Sequence, residues 1–131
     1  MKTLYNNLKI WLESFSKEPI NNNIKAICFN LYDDGNGNWS LEMVGTASFD
    51  QDDPDWACDE ITDFGTRNSP FFWNENCDWE SVLEKVSRYI SKYLETGILD
   101  FVKNQVEAIA VGFVDGDINI IFTKDVQNFQ W

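Results

Sequence analysis

Apolar positions near the N-terminus recur at Leu4, Leu8, Trp11, Leu12 and Phe15, the three-and-four spacing that lines one face of a helix. The pattern predicts an amphipathic helix over Thr3 to Lys17, with Thr3 as its N-cap and Pro19 as its stop. After the polar connector Asn21 to Asn23 the period drops to two. Ile24, Ala26 and Cys28 alternate with Ile27, Phe29 and Leu31 along a strand from Ile24 to Tyr32, and both of its faces are apolar enough for a central strand. Asp33 to Asn38, reading DDGNGN, is a turn, because Gly and Asn tolerate positive φ. Trp39 to Phe49 returns as a second strand, with Trp39, Leu41, Met43 and Phe49 on one face and Ser40, Glu42, Thr46 and Ser48 on the other. The two strands form an antiparallel hairpin.

Asp50 to Asp63 reads as an acidic loop that must expose charge and still hold Trp56. Thr66 to Trp73 reads as a third strand, which Pro70 confines to an edge or a strand boundary. Asp78 caps a second helix, Trp79 to Leu94, with Trp79, Val82, Leu83, Val86, Ile90 and Tyr93 as its apolar stripe. Gly97 suits a helix C-terminus, and Ile98 to Lys103 is a short helix or a turn. Val106 to Val114 and Ile118 to Lys124 flank Asp115-Gly116 as a second hairpin. The order α-β-β-β-α-β-β predicts one α+β domain over residues 1–131, with a largely antiparallel sheet of about five strands and two main helices on one side. Both hairpins are expected at the centre of the sheet, with Phe29, Trp39, Phe113 and Phe122 in its core.

Charge changes this picture more than bulk composition does. The chain carries 22 acids against 10 bases, a net charge of −12, and no histidine. From Ala26 to Thr66 there is no lysine or arginine, while Asp33, Asp34, Glu42, Asp50, Asp52, Asp53, Asp55, Asp59, Glu60 and Asp63 fall within it. That stretch of 41 residues therefore holds −10 of the −12, and the other 90 residues are nearly balanced at −2. So concentrated a charge argues against nucleic acid and anionic membrane as partners. It attracts a basic protein surface and speeds the encounter. The alternative is a solvated acidic face without a partner. Trp56, inside DQDDPDWACDE, either pins this segment to the core or stands exposed as an interface anchor ringed by charge.

Catalytic and metal signatures are missing. Without histidine the commonest general base and metal ligand is lost, and no GxSxG, GxGxxG or phosphate-loop motif occurs. Asp34, Asn36 and Asn38 begin like a calcium loop, but Trp39 stands at its glycine position and Gly45 at its closing glutamate. Cys28, Cys58 and Cys77 are odd in number and widely spaced, which suits reduced thiols rather than a zinc site or a disulfide framework. No apolar run reaches membrane-span length and no signal-peptide pattern precedes Trp11, so a cytoplasmic protein is expected, neither an enzyme nor a holder of metal or cofactor.

A short, acidic, aromatic-rich single domain without catalytic signature resembles the bacterial immunity proteins of polymorphic and contact-dependent toxin systems. The residues that carry the resemblance are the run FDQDDPDWACDE, Phe49 to Glu60, and the closing hairpin VGFVDGDINIIF, Val111 to Phe122. The resemblance implies a stoichiometric inhibitor of a cognate toxin, often a basic nuclease whose phosphate-binding cleft an acidic surface occludes. On that reading Asp50, Asp52, Asp53, Asp55, Trp56, Asp59 and Glu60 face the toxin, the second hairpin belongs to the core, and the chain is a monomer or weak dimer. An acidic adaptor, or a nucleic-acid mimic acting on another basic protein, is the alternative.

Overall fold

The computed structural model describes residues 3–14, 23–50, 52–58, 60–65, 69–95, 105–113, 116 and 118–123. At its centre lies β1 (Ala26–Gly35), which pairs antiparallel with β2 (Asn38–Thr46) and parallel with β5 (Ala108–Phe113). Alternation divides β1 as its sequence predicts. Ile27, Phe29 and Leu31 enter the main core, and Ala26 and Cys28 enter a second, smaller cluster on the opposite face. A strand that is apolar on both sides has nowhere to go but the middle of a sheet.

The outer side of β2 is shared by two short strands. β3 (Glu60–Gly65) pairs with the Val44–Thr46 end and β4 (Phe71–Asn74) with the Asn38–Leu41 end, both antiparallel. Beyond β5 lies β6 (Ile118–Thr123), its antiparallel partner. The order is β3-β2-β1-β5-β6, with β4 beside β3 on the β2 flank. The result is an α+β fold with a mostly antiparallel sheet and one parallel pair at its heart.

Three expectations are corrected here. The second hairpin is not central as a unit, because β6 is an edge strand while β5 is interior. The segment Asp50 to Asp63 is not one loop: it contains a 3₁₀ helix, Pro54–Cys58, and the start of β3. Finally, β2 stops at Thr46, and Phe49 packs on the opposite face from Trp39, Leu41 and Met43. The Thr46 hydroxyl donates to the Ser48 carbonyl at 2.9 Å, turning the chain off the strand before the alternation reaches Phe49. The third strand expected over Thr66 to Trp73 begins at Phe71, so Pro70 stands just before it, where its missing N–H costs no ladder bond. Residues 66–68 lie outside the described set.

Two helices cover the face that holds Phe29. α1 (Leu4–Glu13) starts where Thr3 accepts from the Asn6 N–H at 3.2 Å and ends at the C-cap Ser14; Phe15, Lys17 and Pro19 lie outside the described residues. α2 (Trp79–Leu94) begins at the predicted cap, with Asp78 accepting the Ser81 N–H at 2.7 Å. That bond favours the ionised carboxylate and lowers the Asp78 pKa below its ordinary value. α2 packs on β5 and β6, and α1 reaches β4 through Trp11, whose ring meets Phe71 and whose indole N–H donates to the Ser69 carbonyl. Phe29 and Trp39 are buried in this core, and Phe113 and Phe122 pack against it half-buried. Gly97, residues 98–103, Val114, Asp115 and Lys124 lie outside the described set.

The first hairpin turn is built from three residues with positive φ, Gly35 at 87°, Asn36 at 56° and Gly37 at 78°. Glycine and asparagine adopt that region at little cost, which is what GNG supplies. Asp33 helps by accepting the Gly35 N–H at 3.0 Å. The Gly37 carbonyl then takes the Glu75 N–H at 2.8 Å, while the Trp39 indole donates to the Glu75 carbonyl at 2.9 Å. The Glu75 carboxylate meets Lys85 of α2 and the Trp73 indole. One residue thus ties the turn, β4 and α2 together.

Candidate partner-binding site

The segment after β2 carries the densest charge of the molecule and is fastened by aromatics at both ends. Phe49 and Trp56 meet edge to face, with ring centroids 5.1 Å apart at 76°, a favoured aromatic geometry. Trp56 is 5% exposed and packs with Ala26, Cys28, Val44, Ala108 and Ala110. These small side chains on β1 and β5 leave a shallow trough on the sheet, and the indole fills it. Of the two readings of Trp56, the pin to the core describes it.

Between the two rings, the acids order their own backbone. Asp50 accepts the Asp52 N–H at 2.9 Å and Asp53 accepts the Asp55 N–H at 3.0 Å. Carbonyl bonds from Asp53 N–H to Asp50 and from Trp56 N–H to Asp53 close the same turns. In each of Asp50 and Asp53, one carboxylate oxygen is engaged locally. Asp50, Asp52, Asp53 and Asp55 are exposed. Self-capping of this kind, typical of Asp in turns, lets four acids share a short segment without needing a cation to hold its shape.

The remaining acids of the stretch are dispersed. Glu60 is half-buried at the start of β3, opposite Thr46, and Asp59 lies outside the described residues. Asp33 and Asp34 are exposed at the far end of the first hairpin. Glu42, 3% exposed, points into the sheet face and accepts the Tyr32 hydroxyl at 2.5 Å. The loop acids, Trp56 and Glu60 therefore belong to one region, whereas Asp33, Asp34 and Glu42 do not sit on the loop. Among the described residues no group of three or more His, Cys, Asp or Glu side chains is arranged to hold a metal ion.

Cysteine chemistry is suppressed where the site meets the sheet. Burial pushes the Cys28 thiol up to about 12, helped by the nearby charges of Cys58, Glu42 and Glu60. The protonated thiol donates to Asn30 Oδ1 at 3.1 Å, and a group held neutral in this way is a poor nucleophile at physiological pH. An alkaline weakness follows. In the unfolded chain the thiol ionises near 9.0 and in the fold only near about 12, so unfolding releases a proton between those values and stability falls as pH rises through that window. Tyr93, also pushed up to about 12 by burial, acts in the same direction. Cys28→Ala is expected to flatten, though not abolish, the loss of melting temperature between pH 9 and 11. An unchanged pH profile would mean the thiol is not held neutral in the fold.

Sequence reasoning missed β3, whose sequence EITDFG was hidden by the surrounding acids, although Ile61 and Thr62 are β-branched. It also treated Phe71, Phe72 and Trp73 as one apolar trio. The structure separates them: Phe71 and Trp73 pack on the main core, and Phe72 points the other way, 67% exposed. No protein-family model, curated protein or solved structure matches the chain. Among the described residues no helix is long and apolar enough to cross a membrane.

Proposed function

We propose that this chain is a non-catalytic, acidic binding protein of the cytoplasm that neutralises a basic toxin, in the manner of an immunity protein. The observation that carries the proposal is the pinned segment 49–58. Exposed Asp50, Asp52, Asp53 and Asp55 are presented on a backbone held by Asx-type turns and by a buried tryptophan. Preorganised charge of this kind costs little ordering entropy on binding and steers a cationic partner by its field. A nuclease cleft is cationic because it binds phosphates, and the exposed acids Asp50, Asp52, Asp53 and Asp55 are complementary to it. The chemistry then belongs to the partner and the chain acts by occlusion.

The test is a triple reversal. Asp52, Asp53 and Asp55 to Lys should lower the melting temperature only slightly, because exposed loop charges contribute little to stability and the one turn bond lost, from the Asp55 N–H to the Asp53 carboxylate, is a single exposed hydrogen bond. The partner is first isolated with the wild-type chain and assayed for toxicity when expressed alone. Its association rate with the variant is expected to fall by about tenfold or more, and wild-type binding should weaken as salt rises. Wild-type rate and salt dependence in the variant would show the acidic segment to be only a solvated face. A partner that is harmless when expressed alone would favour an adaptor or nucleic-acid mimic over an immunity protein.

A further inference from the structure

Asn36 is the one asparagine of the chain that a glycine follows, and it stands exposed at the tip of the first hairpin. Gly35 pairs with Asn38 in register, and φ is positive at both residues between them, 56° at Asn36 and 78° at Gly37. Those signs make a type I′ turn. A type II′ turn closes the same kind of hairpin and also keeps φ positive at its first residue. The two differ by a flip of the central peptide, which carries ψ of that residue from about +30° to about −120°. At the second value the next amide nitrogen eclipses Cβ of an L-residue, and so comes within reach of the side-chain carbonyl carbon.

The flip turns only the peptide between Asn36 and Gly37, and the ties of the turn lie outside it. The Gly35 N–H donates to the Asp33 carboxylate, the Glu75 N–H to the Gly37 carbonyl and the Asn74 amide to the Asn38 side chain. Among the described non-glycine residues Asn36 alone has positive φ. Asp34 also precedes a glycine but does not start from this geometry.

We propose that Asn36 is a site of self-modification, losing its side-chain amide in the folded chain through a succinimide closed by Gly37. The Gly37 nitrogen gives up its proton and attacks Cγ of Asn36. A new C–N bond closes the ring, the bond from Cγ to the side-chain nitrogen breaks, and ammonia leaves with the proton. Glycine suits the attacking position because no Cβ crowds its nitrogen. Water then opens the ring. Attack at Cγ gives aspartate, and attack at the backbone carbonyl gives isoaspartate, whose main chain runs through the former side chain. Water enters and ammonia leaves, so the step needs no oxidant, metal or second substrate. Either product adds a negative charge beside exposed Asp33 and Asp34, at the end of β2 away from the pinned segment 49–58. Isoaspartate also lengthens the main chain within the turn that sets the pairing of β1 with β2.

The folded wild-type chain, held at mildly alkaline pH, is expected to shift toward the acidic end on isoelectric focusing. Peptide mapping should place the mass gain of an amide turned into an acid at Asn36, divided between aspartate and isoaspartate. Asn36→Gly keeps the positive φ without an amide and should lose the shift. The wild-type chain unfolded in urea serves as the reference. An Asn36 amide that survives in the folded chain while the unfolded chain loses it overturns the proposal, because the turn then holds its central peptide against the flip. A folded-state shift that maps first to another described asparagine, or that keeps its rate in Asn36→Gly, overturns it as well.

Discussion

Phe29→Ala lowers the stability of the folded chain by about 3–5 kcal/mol, the usual cost of truncating a fully buried phenylalanine. The residue is 1% exposed on β1, opposite Met43 of β2 and Val111 of β5, on the face that the helices cover. Strands close on both sides and the helix layer sits above, so neighbouring groups cannot collapse into the space and much of the cavity persists. Against a total stability of about 5–15 kcal/mol for a domain of this size, the loss brings the chain close to unfolding at ambient temperature. Urea denaturation checks it: the midpoint should drop steeply with little change in slope. A midpoint within error of the wild type would remove Phe29 from the core and β1 from the centre of the sheet.

Trp56→Ala is expected to cost about 3–5 kcal/mol as well, with a different distribution of damage. Its partners Ala26, Cys28, Val44, Ala108 and Ala110 form a cluster separated from the helices by the sheet itself. Loss of the indole therefore releases the segment 49–58 as well as destabilising the whole, and regions with few buried contacts open first. Limited proteolysis should cut the variant within residues 50–58 under conditions where the wild type is intact, and Trp56→Phe should recover much of the protection through the edge-to-face contact with Phe49. Full stability with lost binding would instead make Trp56 an exposed anchor, at odds with its burial. Loss of both stability and binding is the expected pattern, because a loosened segment no longer presents its acids in a fixed arrangement.

Much of this fold is legible in the chain because its signals are local. Asp78 caps α2 where the sequence places it, as an Asp followed by a clean 3.6-residue apolar stripe leaves few alternatives. The two-faced alternation of β1 and the GNG turn behave as read, since both follow from side-chain period and backbone sterics within a few residues. The concentration of acid between Ala26 and Thr66 is a property of the sequence that no folding alters.

What depended on distant partners was decided only by the tertiary structure. The parallel pairing of β1 with β5 joins residues about eighty positions apart, and no periodicity within either strand specifies its neighbour. β3 exists because the outer end of β2 offers unpaired backbone groups to a segment whose own composition argues for a loop. Whether Trp56 is pin or anchor turned on the size of side chains contributed by β1 and β5: alanine and cysteine there leave room for an indole, and larger residues would have pushed it into water. Phe72 was divided from Phe71 and Trp73 by the pleat of a strand that exists only because β2 lies beside it. Local chemistry wrote the helices, the first turn and the charge; which face each aromatic meets is a property of strand neighbours, which the chain alone does not name.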